Sequence, residues 1–318
     1  MELYNVKNNK LESITSKPFK LEKDIQDLIE TNTQELFNLE FVKTEFTVDK
    51  YRIDSLCYDS DNNSFVIIEY KKGSSYSVID QGYTYLQLLL NNKSDFLLEL
   101  SQHFNKVLRV EDVDWSQSKI IFVSPSFNSY QKDSVNFKNL PFELYEIKRF
   151  TNGVIILNKH QSTSKESIDS LSNQKTQNVI SSVNKEVKVF DEEYHLNKTN
   201  SEMGAMWDEL KQRLTALDNI EINPKKHYIS LTANNKAIAY FHFRKSAIPI
   251  DIPRGNLNID GTKSKNYFDI DDPKGIAAER SWEWKSGTKG NVYVIKWNKN
   301  TDIDYLMFLI KQKYNNLV

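Results

Sequence analysis

Residues 51–90 read YRIDSLCYDSDNNSFVIIEYKKGSSYSVIDQGYTYLQLLL. Polar and apolar residues alternate around Asp54, and a strand is expected from about 46 to 58. The run Asp59-Ser-Asp-Asn-Asn63 supplies a turn, and Phe65-Val-Ile-Ile68 leads into Glu69. Four successive apolar residues with β-branching predict a strand buried on both faces. A helix is expected from about 77 to 91. Side chains two apart on a strand share a side, so Glu69 and Lys71 point the same way. If Asp54 on the preceding strand faces that side, two carboxylates and an ammonium converge at the sheet surface. Carboxylates of this kind bind Mg²⁺ or Mn²⁺, which stabilises charge on a phosphate and lowers the pKa of a bound water. The lysine can orient that water or offset negative charge in the transition state. Glu-x-Lys alone is common on solvent-facing strands. The apolar run before it argues otherwise, because ionised groups at the end of a buried strand are costly unless paired or liganded, but Asp54 with Glu-x-Lys alone still favours the ordinary surface reading.

Two flanking features extend the set. Gln81 and Tyr85 are one helical turn apart and share a face with Val78, Leu88 and Leu89, the face expected to pack on the sheet. Upstream, a helix is expected from about 21 to 37, with Ile25 and Ile29 on its buried stripe. Glu22 lies at the edge of that stripe and is the candidate third carboxylate, although an acidic residue is also favoured at any helix start. Glu30 is expected to point away.

Working outward, Lys119–Val123 reads as a strand and residues 143–149 with 154–157 as a hairpin turning at Thr151-Asn-Gly153. Residues 160–184 contain no glycine or proline and are rich in Ser, Asn, Gln and Lys. The expected organisation is an α/β domain over 1–159, a polar linker or frayed helix over 160–188, and an α+β domain over 189–318. The C-terminal domain is expected to hold a helix at 201–217, strands near 228–231, 237–244, 281–285 and 291–297, and a closing helix at 302–314.

The 318 residues carry 42 basic and 43 acidic side chains, split as 18 against 23 in residues 1–158 and 24 against 20 in residues 159–318. Only the second half thus offers the positive balance that phosphate contacts favour. A single cysteine, Cys57, excludes an internal disulfide framework, and the residue is expected to be buried rather than nucleophilic. No apolar run approaches the roughly 20 residues of a membrane span, and no signal peptide is visible; a cytoplasmic location is expected.

Glu22, Asp54, Glu69-Tyr70-Lys71 and Gln81-x-x-x-Tyr85 in this order resemble the PD-(D/E)xK nuclease superfamily over roughly residues 20–125, with Ile53 in place of the proline before Asp54. FVIIEYKKGSSYSVIDQGYTYL looks like a bacterial group that joins this core to a small C-terminal domain. The resemblance implies an α/β restriction-endonuclease-like core, a mixed sheet flanked by helices, and metal-dependent cleavage of DNA. It places Asp54 and Glu69 at the metal, Lys71 at the water, and Gln81 in support. Defence against foreign DNA and a homodimer are also implied. The rival reading is a nucleic-acid-binding or protein-interaction module on an inactive nuclease fold.

In the second half, Trp282 and Trp284 alternate along one strand, with Arg280 and Lys285 beside them and Trp297 on the next strand. Exposed, they would form a stacking platform for a nucleic-acid base. Buried, they would build the core of a small sheet.

Overall fold

The computed structural model describes residues 2–72, 78–137, 140–161, 174–257, 260–264, 267–283 and 289–318. The chain divides into two compact units, one of Met1–Gln34 with Leu39–Lys188 and one of Glu35–Asn38 with Val189–Val318.

The first unit opens with a hairpin of β1 (Leu3–Lys7) and β2 (Lys10–Ile14). Helix α1 (Glu22–Thr31) follows, its start capped by Asp24, whose Oδ2 accepts the N–H groups of Lys20 and Leu21. The expected single helix over 21–37 breaks at Asn32, and the separate short helix α2 (Thr33–Phe37) belongs to the second unit from Glu35 onward. Strands β3 (Glu40–Val48), β4 (Tyr51–Asp59), β5 (Ser64–Tyr70), β6 (Lys119–Ser124), β7 (Phe142–Arg149) and β8 (Ile155–Lys159) form one sheet in that order. The pairs β5–β6 and β6–β7 are parallel and the others antiparallel, so the sheet is mixed. The single strand expected over 46–58 is in fact the end of β3, a turn with Asp49 at φ +52°, and β4. Between β5 and β6 run α3 (Val78–Asn91) and α4 (Lys93–His103), and α5 (Ser129–Ser134) precedes β7.

Every residue of β5 is buried, as its apolar run requires of a central strand covered on both faces. Phe65 and Ile67 enter a core with Leu86 and Leu89 of α3 and Phe96 and Leu100 of α4. The opposite face is closed by α1 through Ile25 and Ile29, both fully buried. The stretch expected as linker contains helix α6 (Gln174–Glu186), whose Val183 is buried in the core below α3. Val183 and Val187, with Val179 and Ile180 packed against the same core, anchor a largely polar segment. Residues 162–173 lie outside the described residues.

The second unit contains α7 (Glu192–Leu196), α8 (Ser201–Leu214), six strands and α9 (Ile303–Leu317). The strands are β9 (Ile220–Pro224), β10 (Ile229–Ala233), β11 (Lys236–Phe241), β12 (Ile248–Leu257), β13 (Ala277–Glu283) and β14 (Lys289–Trp297). They form an antiparallel sheet ordered β13-β14-β12-β11-β10-β9. Trp207 and Leu210 of α8 and Leu306 and Ile310 of α9 cover one sheet face, over Phe241 and Ile250. Among the described residues no helix is long and apolar enough to cross a membrane.

Candidate active site

The site arises where β4 and β5 part. Their ladder of paired residues runs from Asp59–Ser64 to Ser55–Ile68 and stops there. The next inter-strand hydrogen bond is made by a side chain, with Asp54 Oδ2 accepting the N–H of Tyr70 at 3.0 Å. A carboxylate thus takes the place of a backbone acceptor and is fixed at the mouth of the gap.

Glu69 follows on β5, only 4% exposed. Its Oε1 accepts from Lys71 Nζ at 2.8 Å and from Gln81 Nε2 at 2.7 Å. The Tyr85 hydroxyl lies 3.3 Å from the same oxygen and 3.1 Å from Gln81 Nε2. Strand alternation brings Glu69 and Lys71 together, and helical spacing stacks Gln81 on Tyr85. The Lys71 side chain is 12% exposed, and its N–H donates to Val123 O across the parallel pair with β6. Glu69 Oε2 and Gln81 Oε1 are buried and have no hydrogen-bond partner among the described residues.

The electrostatics follow from this packing. Burial, then the nearby charge of Asp54, pushes the Glu69 carboxyl up to about 7, against the pull of Lys71 and Gln81. Burial also raises Asp54 above the ordinary carboxylate range, opposed by the Tyr70 N–H and Lys71 and reinforced by Glu22. The charge of Asp54 thus opposes that of Glu69, and Lys71 offsets both. An added cation relieves that imbalance, and the orphaned Oε2 supplies a hard oxygen for it. On these grounds Asp54 and Glu69 fit a Mg²⁺ or Mn²⁺ ion. The described residues contain no group of three or more His, Cys, Asp or Glu arranged to hold a metal, so the protein's side-chain share would be two carboxylates. That suits Mg²⁺, which retains several waters and takes one or two carboxylates together with substrate phosphates.

Glu22 is not gathered into this pair. Its Oε2 accepts the N–H of Lys72 at 2.9 Å, which places it at the rim just beyond Lys71. Glu30, expected to point away, turns inward instead. Its Oε1 accepts from Ser55 Oγ at 2.6 Å and from Gln26 Nε2 at 2.8 Å, and Ser55 Oγ lies 2.9 Å from the Tyr70 hydroxyl. Gln26 also donates to Asp54 O at 3.0 Å. This chain of polar groups braces, from behind, the two strands that carry Asp54 and Glu69. Its signal in the sequence was a glutamine beside the buried Ile25. Cys57 is fully buried, with its thiol pushed far up by burial, so it is no nucleophile at ordinary pH.

In the second unit, Trp282 is half-buried, and Arg280 is paired with Asp251. Trp297 is fully buried in the core and cannot join Trp282, because it lies on the opposite face of the sheet. Trp284 and Lys285 lie outside the described residues.

No model of a known protein family matches the chain. Among solved structures, similarity is found to a repair endonuclease from Pyrococcus abyssi, at 16% identity over 42% of this chain and 49% of that one, with a TM-score of 0.24. A second is the EndoMS-dsDNA2 complex, at 20% identity over 41% and 47%, with a TM-score of 0.23. Each covers less than half of either chain, too little to carry a function across. An uncharacterized protein of Haemophilus influenzae is 38% identical over 316 residues, covering 98% of this chain and 99% of its own length. Likeness at that level, end to end, shows common membership: the chain belongs to the family of that Haemophilus influenzae protein.

Proposed function

We propose that the first unit is a metal-dependent endonuclease that hydrolyses phosphodiester bonds in DNA. The observation that carries this reading is the meeting of Asp54, Glu69 and Lys71 where β4 and β5 part, with Glu69 Oε2 left without a partner. Asp54 and Glu69 would hold Mg²⁺ or Mn²⁺, which would supply a Lewis acid for the phosphate and a water of lowered pKa. Lys71 sits at the pair of carboxylates, placed to orient the attacking water and to offset negative charge as it grows on the phosphate. Gln81 and Tyr85 fix Glu69 through Oε1, so that its rotamer is set before any ion binds. Glu22 holds the backbone at Lys72 and so acts as a positioning residue at the rim.

The test is cleavage of plain and modified DNA by the purified full chain in Mg²⁺, Mn²⁺ or EDTA, beside Lys71→Ala. Cutting should require the metal and fall by about 100-fold or more in the variant. DNA that is bound yet uncut in every metal would sink the proposal and leave a binding module.

A further inference from the structure

At one end of the second unit's sheet, three connections place cations side by side. Lys225-Lys-His-Tyr228 joins β9 to β10, His242-Phe-Arg-Lys-Ser-Ala247 joins β11 to β12, and Lys198 lies between α7 and α8. Backbone hydrogen bonds close the two turns and tie the α7–α8 connection to the second of them. Lys225 N–H donates to Tyr228 O at 2.8 Å, Arg244 N–H to Ala247 O at 3.0 Å, and Asn200 N–H to Lys245 O at 2.9 Å. Lys198 Nζ lies 3.5 Å from Lys226 O. Lys198, whose Nζ also lies 3.7 Å from the Tyr194 ring centre, Arg244 and Lys245 are thus brought to one end of the sheet. Arg244 and Lys245 are exposed.

Aromatic rings stand beside them. The Tyr228 ring is 4.8 Å from Tyr240 and 5.7 Å from His242, and all three are partly exposed. Phe241 and Phe243 point into the core, so alternation puts Tyr240 and His242 on the face that α8 and α9 leave uncovered. Arg280 is paired with the buried carboxylate of Asp251. Cations and partly exposed rings thus meet at this end of the sheet.

We propose that this end of the second unit binds a nucleic-acid strand, with phosphates against Lys198, Arg244 and Lys245 and an unpaired base on Tyr228 and Tyr240. Charge complementarity selects a polyanion, and the rings select one that carries bases. The proposal rests on the nuclease reading only for its purpose, as a recognition surface for the same substrate. Binding is measured apart from cutting.

The experiment is fluorescence anisotropy of labelled single-stranded DNA, with a duplex of the same sequence alongside, titrated with the full chain in EDTA at several salt concentrations. Joint replacement Arg244→Ala and Lys245→Ala should weaken single-strand binding about tenfold and flatten the log–log salt slope by about 1.4. Tyr240→Ala should weaken it about tenfold with the slope kept, and Tyr240→Phe should restore it. The single strand should bind more tightly than the duplex. Failure of the unaltered chain to bind, or wild-type affinity in either alanine variant, overturns the proposal. A chain that binds in this way yet cuts nothing in Mg²⁺ would count against the nuclease reading alone.

Discussion

Burial raises the Asp54 carboxyl, and the charge of Asp54 helps to raise Glu69. The same Asp54 satisfies the Tyr70 N–H where the ladder ends, so one side chain both supports the sheet and strains the site. The two roles can be separated. Asp54→Asn keeps an oxygen for the Tyr70 N–H and removes the charge, and should stabilise the metal-free chain by about 1 kcal/mol. Asp54→Ala leaves that N–H orphaned and should destabilise it by about 1–2 kcal/mol. Thermal melts in EDTA should therefore rank Asn above wild type and wild type above Ala. In Mg²⁺ the wild type alone should gain stability, and neither variant should cut DNA. An Asn variant that melts below wild type in EDTA would show that the carboxylates do not repel one another. At this scale the sequence was informative wherever one short period decided the matter. Glu69 with Lys71, and Gln81 with Tyr85, meet because a strand repeats every two residues and a helix nearly every four. The partners of Glu22 and Glu30 were not legible, because they depend on how α1 is rotated against the sheet.

Helix α3 presents Gln81 and Tyr85 to Glu69 only because it lies close to the sheet, and Gly82 sets how close. A Cβ at Gly82 would lie 2.6 Å from Phe142 Cε1 and 2.7 Å from Cζ. The Phe142 ring cannot easily yield, being packed edge-on against Tyr83 at 5.0 Å and near Phe122 at 6.3 Å. Gly82→Ala should therefore destabilise by about 1–3 kcal/mol, although alanine is the better helix former by about 1 kcal/mol. Because α3 must lift, cleavage should fall as well, and Phe142→Leu in the same chain should recover part of both losses. Urea melts and cutting rates of the two single variants and the double check this; equal stability of Gly82→Ala and wild type would show the helix free to shift. Elements were legible where apolar periodicity was strong, as in β5 and α3. β12 was missed because Pro249 and Pro253 argue against a central strand. It survives with a register shift between Pro253 and Gly255, while the carbonyl of Pro249 still accepts the N–H of His242. α4 was missed for the opposite reason, since few of its residues are buried beyond Phe96 and Leu100.

Across the whole chain, ionisable groups give the two units opposite responses to pH. In the first unit the Asp54–Glu69 pair holds protons that an unfolded chain releases, so its stability falls as pH rises through the interval from ordinary carboxylate values to about 7. The second unit buries Lys313, 3% exposed and 5.1 Å from the Phe268 ring centre, and burial lowers its amine to about 8. Here the unfolded chain holds the proton between about 8 and 10.5, so folding grows more favourable as pH rises, and the gain is lost as pH falls through 8. Between pH 7 and 9 the second unit should gain on the order of 1 kcal/mol. Tryptophan fluorescence can follow it, because Trp115 is the only one of the five tryptophans in the first unit. Urea denaturation at pH 7, 8 and 9 should show the midpoint rising with pH. Lys313→Met, similar in length and without charge, should raise the midpoint at pH 7 and abolish the slope, as a buried unbranched apolar side chain no longer has a proton to lose. A slope that persisted in Lys313→Met would assign the effect to another group and leave Lys313 as a charge accommodated by the Phe268 ring.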